Sequence, residues 1–365
     1  MIEFSVGILG CGYIAGKIAE TLNELEGFRV AAVAAREESR AREFAEKYNV
    51  PKAYGSYEEL LKDDEVELVY VATINNNHAL WAKNCVDAGK PVLVEKPFSY
   101  NAVTATQVIQ YARDRKVFIG EAMWTRFVPL MDRLREILKK NTIGPVRYVT
   151  TSMGYNLRDR ERLLRPEMAG GALLDLGVYA IQMVSLAMGG MPQSMASSMV
   201  GVSTGVDGME TIQMTFPRGE GATAVVSMMN KLDNRTVIYG VEGRIEIEGT
   251  NDPTALSVFD KNGELIGEYL PPENQINGYE YQFLAAREAI ITGKPELEQM
   301  KHIETAQMLS FMDALRSTWN LRFPLPGEPK PGEKDPNAPR PVRGPGGPGG
   351  PMAPGQPGAP DHKNA

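Results

Sequence analysis

Three groups of residues have the types and spacing to do chemistry. The first is Gly10-Cys11-Gly12-Tyr13-Ile14-Ala15, a G-x-G-x-x-A turn. It follows the apolar run Phe4 to Leu9, and Ile14, Ile18, Leu22 and Leu25 then recur at helical spacing. Gly10 permits the tight turn. Gly12 lets backbone approach a pyrophosphate. Tyr13 and Ile14 begin a helix whose N–H groups face the phosphates, and the small Ala15 allows close helix–strand packing. A glycine turn with no ligand is the bland alternative. The next apolar run, Arg29 to Ala35, carries no carboxylate at its tip and is followed by Arg36. An arginine there suits a ribose 2′-phosphate, with Arg40 one helical turn on. This favours NADP(H), with NAD(H) as the alternative.

The second group is Glu95-Lys96-Pro97, after the apolar run Val92 to Val94. A strand ending there sets Lys96 at the carboxyl edge of a sheet, where doubly wound folds bind ligands. The third is Asp175 and Tyr179, four residues apart and so on one helix face, preceded by Gly170-Gly171. A phenol titrates near pH 10 and is a poor base at neutrality. A neighbouring ammonium, such as that of Lys96, would lower this value. Packing alone would also explain a tyrosine beside Leu176, Val178 and Ile181.

Composition narrows the class. The 365 residues carry 39 Lys and Arg against 46 Asp and Glu, a net charge of -7, which argues against a nucleic-acid-binding protein. No apolar run is expected to reach the roughly 18–20 residues of a membrane span, and no signal peptide is read. Two cysteines, Cys11 and Cys85, make no disulfide framework and suit a reducing, cytoplasmic setting. His78, His302 and His362 are too scattered for a metal cluster, so none is expected.

The elements that must hold these residues divide in two. Up to residue 121, apolar runs alternate with helical patterns. This implies βαβ units and an α/β, doubly wound parallel sheet of the Rossmann type. Residues 122–326 read as an α+β unit. It has helices over Leu130–Leu138, Gly170–Met188, Tyr279–Ile291 and Glu298–Thr318. Its strands are Val146–Tyr155, Thr211–Phe216, Ala222–Met229, Thr236–Tyr239, Arg244–Ile247 and Leu256–Phe259. The short connections predict a large, open, mostly antiparallel sheet. Residues 327–365 hold 11 prolines and 9 glycines and read as a disordered tail.

The motif set resembles the glucose–fructose oxidoreductase / inositol dehydrogenase family. The resemblance rests on Gly10, Gly12 and Ala15, on Asn75-x-x-His78, on Ala88-Gly89-Lys90 and on Glu95-Lys96-Pro97. Gly120 to Phe127, Gly170 to Tyr179 and Gly205-Val206-Asp207 are similar to its dimeric dihydrodiol dehydrogenase branch. The resemblance covers roughly residues 3 to 324 and implies hydride transfer between nicotinamide C4 and a hydroxyl-bearing carbon of a sugar, cyclic polyol or dihydrodiol. It places Lys96 beside the reacting oxygen, Asp175 as an orienting carboxylate and Tyr179 as the proton acceptor, with Lys96 as its rival. Tyr179 stands where the family more often has histidine, in agreement with the dihydrodiol branch. Thr73, Asn75, His78 and Glu95 would support the cofactor. Trp124, Arg126, Met153 and Tyr155 would wall the substrate pocket. The C-terminal sheet would join a homodimer or homotetramer. A glycosidase with a closed nicotinamide cycle and a non-catalytic NADP sensor are the competing readings.

Overall fold

A computed structural model describes residues 3–325, so the Pro/Gly-rich segment 327–365 lies outside the described residues. The first half forms a six-stranded parallel sheet. Its strands are β1 (Phe4–Leu9), β2 (Phe28–Ala34), β3 (Lys52–Tyr54), β4 (Leu68–Val71), β5 (Val92–Glu95) and β6 (Ile119–Ala122), in spatial order β3-β2-β1-β4-β5-β6. The crossovers carry α1 (Tyr13–Glu24), α2 (Glu38–Tyr48), α3 (Tyr57–Leu60), α4 (His78–Asp87) and α5 (Ala102–Arg115). Every residue of β1, β4 and β5 is buried. That is why these strands are near-continuous apolar runs: helices cover both faces of the sheet.

The strand order reverses between β1 and β4, which opens a crevice at their carboxyl ends. Gly10 forms its floor with φ +108°, and a Cβ there would lie 2.5 Å from the carbonyl oxygen of Ala72. Only glycine fits both the dihedral and the space.

The second half is an eight-stranded sheet. Its strands are β7 (Val146–Gly154), β8 (Ser194–Gly201), β9 (Asp207–Thr215), β10 (Gly221–Ser227), β11 (Arg235–Gly240), β12 (Gly243–Glu248), β13 (Ala255–Asp260) and β14 (Leu265–Tyr269). Their order is β14-β13-β12-β11-β7-β10-β9-β8. The sheet is mostly antiparallel, as expected, but β7 and β10 run parallel. A parallel neighbour needs a long crossover, and the chain between them supplies one. That crossover carries α7 (Val178–Met188) across one face of the sheet. α7 is buried almost all round, from Val178 to Ser185 without a break. Each aliphatic side chain buried this way contributes about 1.5–3 kcal/mol. α6 (Pro129–Lys139), α8 (Glu280–Ile291) and α9 (His302–Thr318) complete the fold.

Three strands escape sequence reading: β3, β8 and β14. β3 is short and only half-buried, and β8 and β14 carry exposed residues on both sides, so neither periodicity nor apolarity marks them. The expected single helix over Gly170–Met188 is instead a π-helical turn, Leu173–Gly177, leading into α7. One stretch, Pro166–Met188, is long and apolar enough to cross a membrane by length and composition, contrary to the expectation above. Its apolarity has a packing cause, since it is mostly buried, with α7 against β7, β10 and α9. The last helix in sequence returns to the first half: Ala102 N–H donates to Asp313 Oδ2 at 2.8 Å, tying α9 to the start of α5.

A Gly10→Ala variant should lose about 1–3 kcal/mol of stability, the usual cost of a side chain in such a conformation. Chemical denaturation checks this, and an unchanged midpoint would contradict the strained-turn assignment.

Candidate active site

A cleft of about 570 Å³ follows the carboxyl ends of β1, β2, β4 and β5. Gly10, Gly12, Tyr13 and Ile14 line it at the glycine turn. A Cβ on Gly12 would meet nothing within 4 Å, so the backbone there faces open cleft. The first-turn N–H groups of α1 have no intrahelical partners, and no side chain caps them. Ala15 is fully buried behind the turn, where it packs helix against strand. Arg36 and Arg40 line the far end and are exposed. Thr73 lines the middle, and its buried hydroxyl oxygen has no hydrogen-bond partner. An open glycine backbone, uncapped amides, an unpartnered hydroxyl and two guanidinium groups make a chemical set that fits a dinucleotide.

The near end holds the reactive groups. Lys96, joined to Pro97 by a cis peptide bond, leaves the tip of β5. Its Nζ donates to the backbone carbonyl of Asp175 at 2.8 Å and lies 3.4 Å from Asp175 Oδ1. The same ammonium sits 4.7 Å from the centroid of the Tyr179 ring. Trp124 Nε1 donates to the Tyr179 hydroxyl at 3.0 Å. That bond occupies the phenol as an acceptor and leaves its own O–H free to donate into the cleft.

Asn75 and His78 also line the cleft. Asn75 Nδ2 donates to the Ala169 carbonyl at 3.3 Å, linking the loop after β4 to the approach to the π turn. His78 is buried between the carbonyl oxygens of Pro97, 2.8 Å from Nδ1, and Thr73, 3.1 Å from Nε2. It thereby links the loops after β4 and β5.

Three expected wall residues lie elsewhere. Arg126 is 2% exposed, and its guanidinium is held inside by Glu304 Oε1 at 2.6 Å and Gln182 Oε1 at 3.0 Å. Met153 falls on the buried face of β7. Tyr155 directs its hydroxyl to Asn251 Oδ1 at 2.9 Å. None of the three lines the cleft.

The cleft gains residues that sequence reading passed over. Tyr279 packs on Trp124 with ring centroids 4.5 Å apart, extending the aromatic wall. Arg162 reaches Asp175 Oδ1 at 3.0 Å. Tyr57 and Trp81 meet edge-on, 4.6 Å apart, beside the arginine end. Tyr279 caps the start of α8 and Arg162 sits in a short 3-10 turn, Glu161–Leu164, with no motif around either. Only the meeting of the two halves brings them to the cleft.

The electrostatics of the groups differ. Burial pushes the Asp175 carboxyl up, but Lys96 and Arg162 outweigh it and hold the group below the usual carboxylate range. Burial, then Tyr279 and Glu95, push the Tyr179 phenol well above its ordinary value. This corrects the expectation that Lys96 would lower it. The ammonium is committed to the Asp175 carbonyl and lies over the ring face. Burial raises Glu95, which accepts from the Tyr70 hydroxyl, to about 7, and it lowers His78 to about 4.

Residues 4–122 match the model of the oxidoreductase family with an NAD-binding Rossmann fold (GFO/IDH/MocA), and residues 131–246 match the GFO/IDH/MocA C-terminal domain. The chain is 36% identical to the trans-1,2-dihydrobenzene-1,2-diol dehydrogenase of Mus musculus over 328 residues, covering 87% of this chain and 97% of that one. It is 34% identical to the Homo sapiens enzyme of the same name over 327 residues, covering 88% and 96%. Among solved structures, it superposes on aldose-aldose oxidoreductase from Caulobacter crescentus, complexed with glycerol. That match has a TM-score of 0.79 and 22% identity, over 87% of this chain and 98% of that one. A 3-ketoreductase from Actinomadura kijaniata, in complex with NADP and TDP-benzene, gives 0.75 at 23% identity, over 86% and 97%. At these identities the two structures speak to the fold.

Glu95 and His78 affect stability with opposite signs. Glu95 is raised from 4.5 to about 7, so its contribution is complete below pH 4.5 and is lost as pH rises to about 7. His78 is lowered from 6.5 to about 4, so its contribution is complete above pH 6.5 and is lost as pH falls to about 4. The two slopes nearly cancel. A Glu95→Gln variant should therefore show stability rising with pH between about 4 and 6.5, by on the order of 3 kcal/mol. Urea denaturation across that range tests it, and a variant profile parallel to the parent's would refute it.

Proposed function

We propose, because the chain belongs to the GFO/IDH/MocA oxidoreductase family, that it is an NADP-dependent enzyme acting on a hydroxyl-bearing carbon of a sugar, cyclic polyol or dihydrodiol. One observation carries the reading. Lys96, Asp175 and the phenol of Tyr179 converge at one end of a cleft whose other parts suit a dinucleotide. A bound nicotinamide would supply the hydride acceptor or donor, and the protein supplies position and proton.

Within this reading, Lys96 and Trp124 hold the reacting oxygen and the phenol in register. Tyr179 keeps its proton at neutral pH because burial disfavours the phenolate. It is therefore poised to give that proton to a carbonyl oxygen on reduction. On oxidation the proton returns to the phenolate, with the Lys96 ammonium over the ring easing the charge. Asp175, kept anionic, fixes the Lys96 amine and orients a substrate hydroxyl. The Trp124–Tyr279 wall offers an aromatic face to the apolar side of a sugar ring or arene diol.

The choice of NADP over NAD rests on Arg36 just past the tip of β2 and Arg40 in the first turn of α2, where the strand tip itself carries no carboxylate for a ribose hydroxyl. The outer face of the large sheet exposes Tyr148, Tyr239 and Val200, which supports a homo-oligomer through that sheet. Sedimentation as a monomer at micromolar concentration would refute that part.

Three measurements test the reading. NADP reduction at 340 nm is expected with at least one of a panel of aldoses, inositols and arene diols, and silence across the panel despite NADP binding would overturn it. Arg36→Ala should weaken NADP binding by about tenfold or more, with little change for NAD. Equal losses for both would remove the phosphate assignment. Tyr179→Phe should lower kcat by about 10²–10⁴-fold while still binding NADPH, and near-normal turnover would exclude Tyr179 as the proton carrier.

A further inference from the structure

Two buried carboxyl groups lie directly behind the glycine turn that leads to Asp175. Asp207, at the start of β9, is 1% exposed and Glu210 is fully buried. Asp207 Oδ2 accepts the backbone N–H of Leu173 at 2.6 Å. Leu173 is the first residue of the π turn Leu173–Gly177, and Asp175 is its third. The turn and α7 after it are buried, so water cannot serve their leading N–H groups.

The preceding residues leave room for this carboxylate and for nothing else. Gly171 has φ +106°, and a Cβ on it would fall 2.1 Å from Asp207 Oδ1. On the other side, Gly171 N–H donates to the Leu163 carbonyl at 2.9 Å, next to Arg162. The glycine pair is thus held between the Asp207 carboxylate and the segment whose arginine pairs with Asp175. The Glu210 carboxyl lies against Asp207, and burial, then Asp207, favours its protonated form, which donates to the Asp207 carboxylate.

We propose that Asp207 is a positioning residue. It caps the π turn through Leu173 N–H and so sets where Asp175 meets Lys96. The chain of contact is short: Asp207 to Leu173 N–H, along the turn to Asp175, and from the Asp175 carbonyl to Lys96 Nζ at 2.8 Å. A carboxylate serves this position better than an amide, because it only accepts and it opposes the positive end of a helix. Gly205-Val206-Asp207 is thereby given a task that does not require contact with any ligand. The inference rests on the function proposed above for its kinetic readout, though not for its structural one.

Asp207→Asn is nearly isosteric but removes the charge facing the start of the turn and replaces one of the two acceptor oxygens with an NH2 group. It should lower kcat by about 10²-fold, the usual cost of roughly 1 Å of misplacement, while KM and NADPH affinity change less than about twofold. Glu210→Gln, which mimics the protonated acid, should keep kcat within about twofold of the parent. If D207N turns over like the parent, or E210Q loses as much as D207N, the proposal is overturned. Should D207N not fold, Gly171→Ala carries the test. It displaces the carboxylate with its charge intact, and parental turnover by G171A would overturn the idea. Crystal structures of the parent and D207N provide a readout independent of substrate. A displaced Lys96–Asp175 contact supports the proposal even if no panel substrate is turned over, and an unchanged contact refutes it.

Discussion

The contact between Lys96 and Asp175 spans 79 residues of sequence and joins the two halves of the molecule. Both side chains are nearly buried, with 13% and 10% exposure. Removing two charges from water is costly, and a pair of this kind holds only when further hydrogen bonds satisfy what remains. Here Lys96 takes both the carbonyl and the carboxylate of Asp175, and Arg162 takes the carboxylate again. Much of the surrounding architecture serves this arrangement. The β5 strand end delivers the lysine, and the π turn delivers the aspartate. The largely buried α7 anchors the turn that carries the aspartate.

The charge distribution follows from the same need. The chain is acidic overall at -7, yet Arg36, Arg40, Lys96 and Arg162 all line one cleft. An acidic protein binds an anionic ligand only where local cations outweigh the global field. Lys96 and Arg162 are partly consumed by Asp175, whereas Arg36 and Arg40 at the other end face solvent. The cleft therefore divides into an end suited to phosphate and an end suited to proton transfer. The aromatic rings of Trp124, Tyr179 and Tyr279 close the latter.

The parts that sequence reading recovered share one property. The glycine turn, the buried strands of the first sheet other than β3, and the Glu95-Lys96-Pro97 edge depend on contacts within a few residues of themselves or on burial over both faces. Such constraints leave a local pattern. The wall residues show the opposite case. Arg126 is an expected pocket-wall residue, but Glu304 and Gln182 hold it in the interior. Met153 faces inward because strand alternation puts it there. β8 and β14 carried no pattern, since an exposed edge strand has no apolar face to advertise.

From the sequence alone came the fold class, the family resemblance, the glycine turn after β1 and the lysine at the strand edge. Each is written in short-range spacing, where residue type and backbone geometry constrain one another directly. Tertiary structure alone decided which charges meet. It put Arg162 on Asp175 and Tyr279 on Trp124. It buried the Tyr179 ring beside Tyr279 and Glu95, which raises that phenol, and set Lys96 over the ring face rather than at the hydroxyl. A pKa is set by burial and by neighbours in space, and neither quantity has a period in sequence.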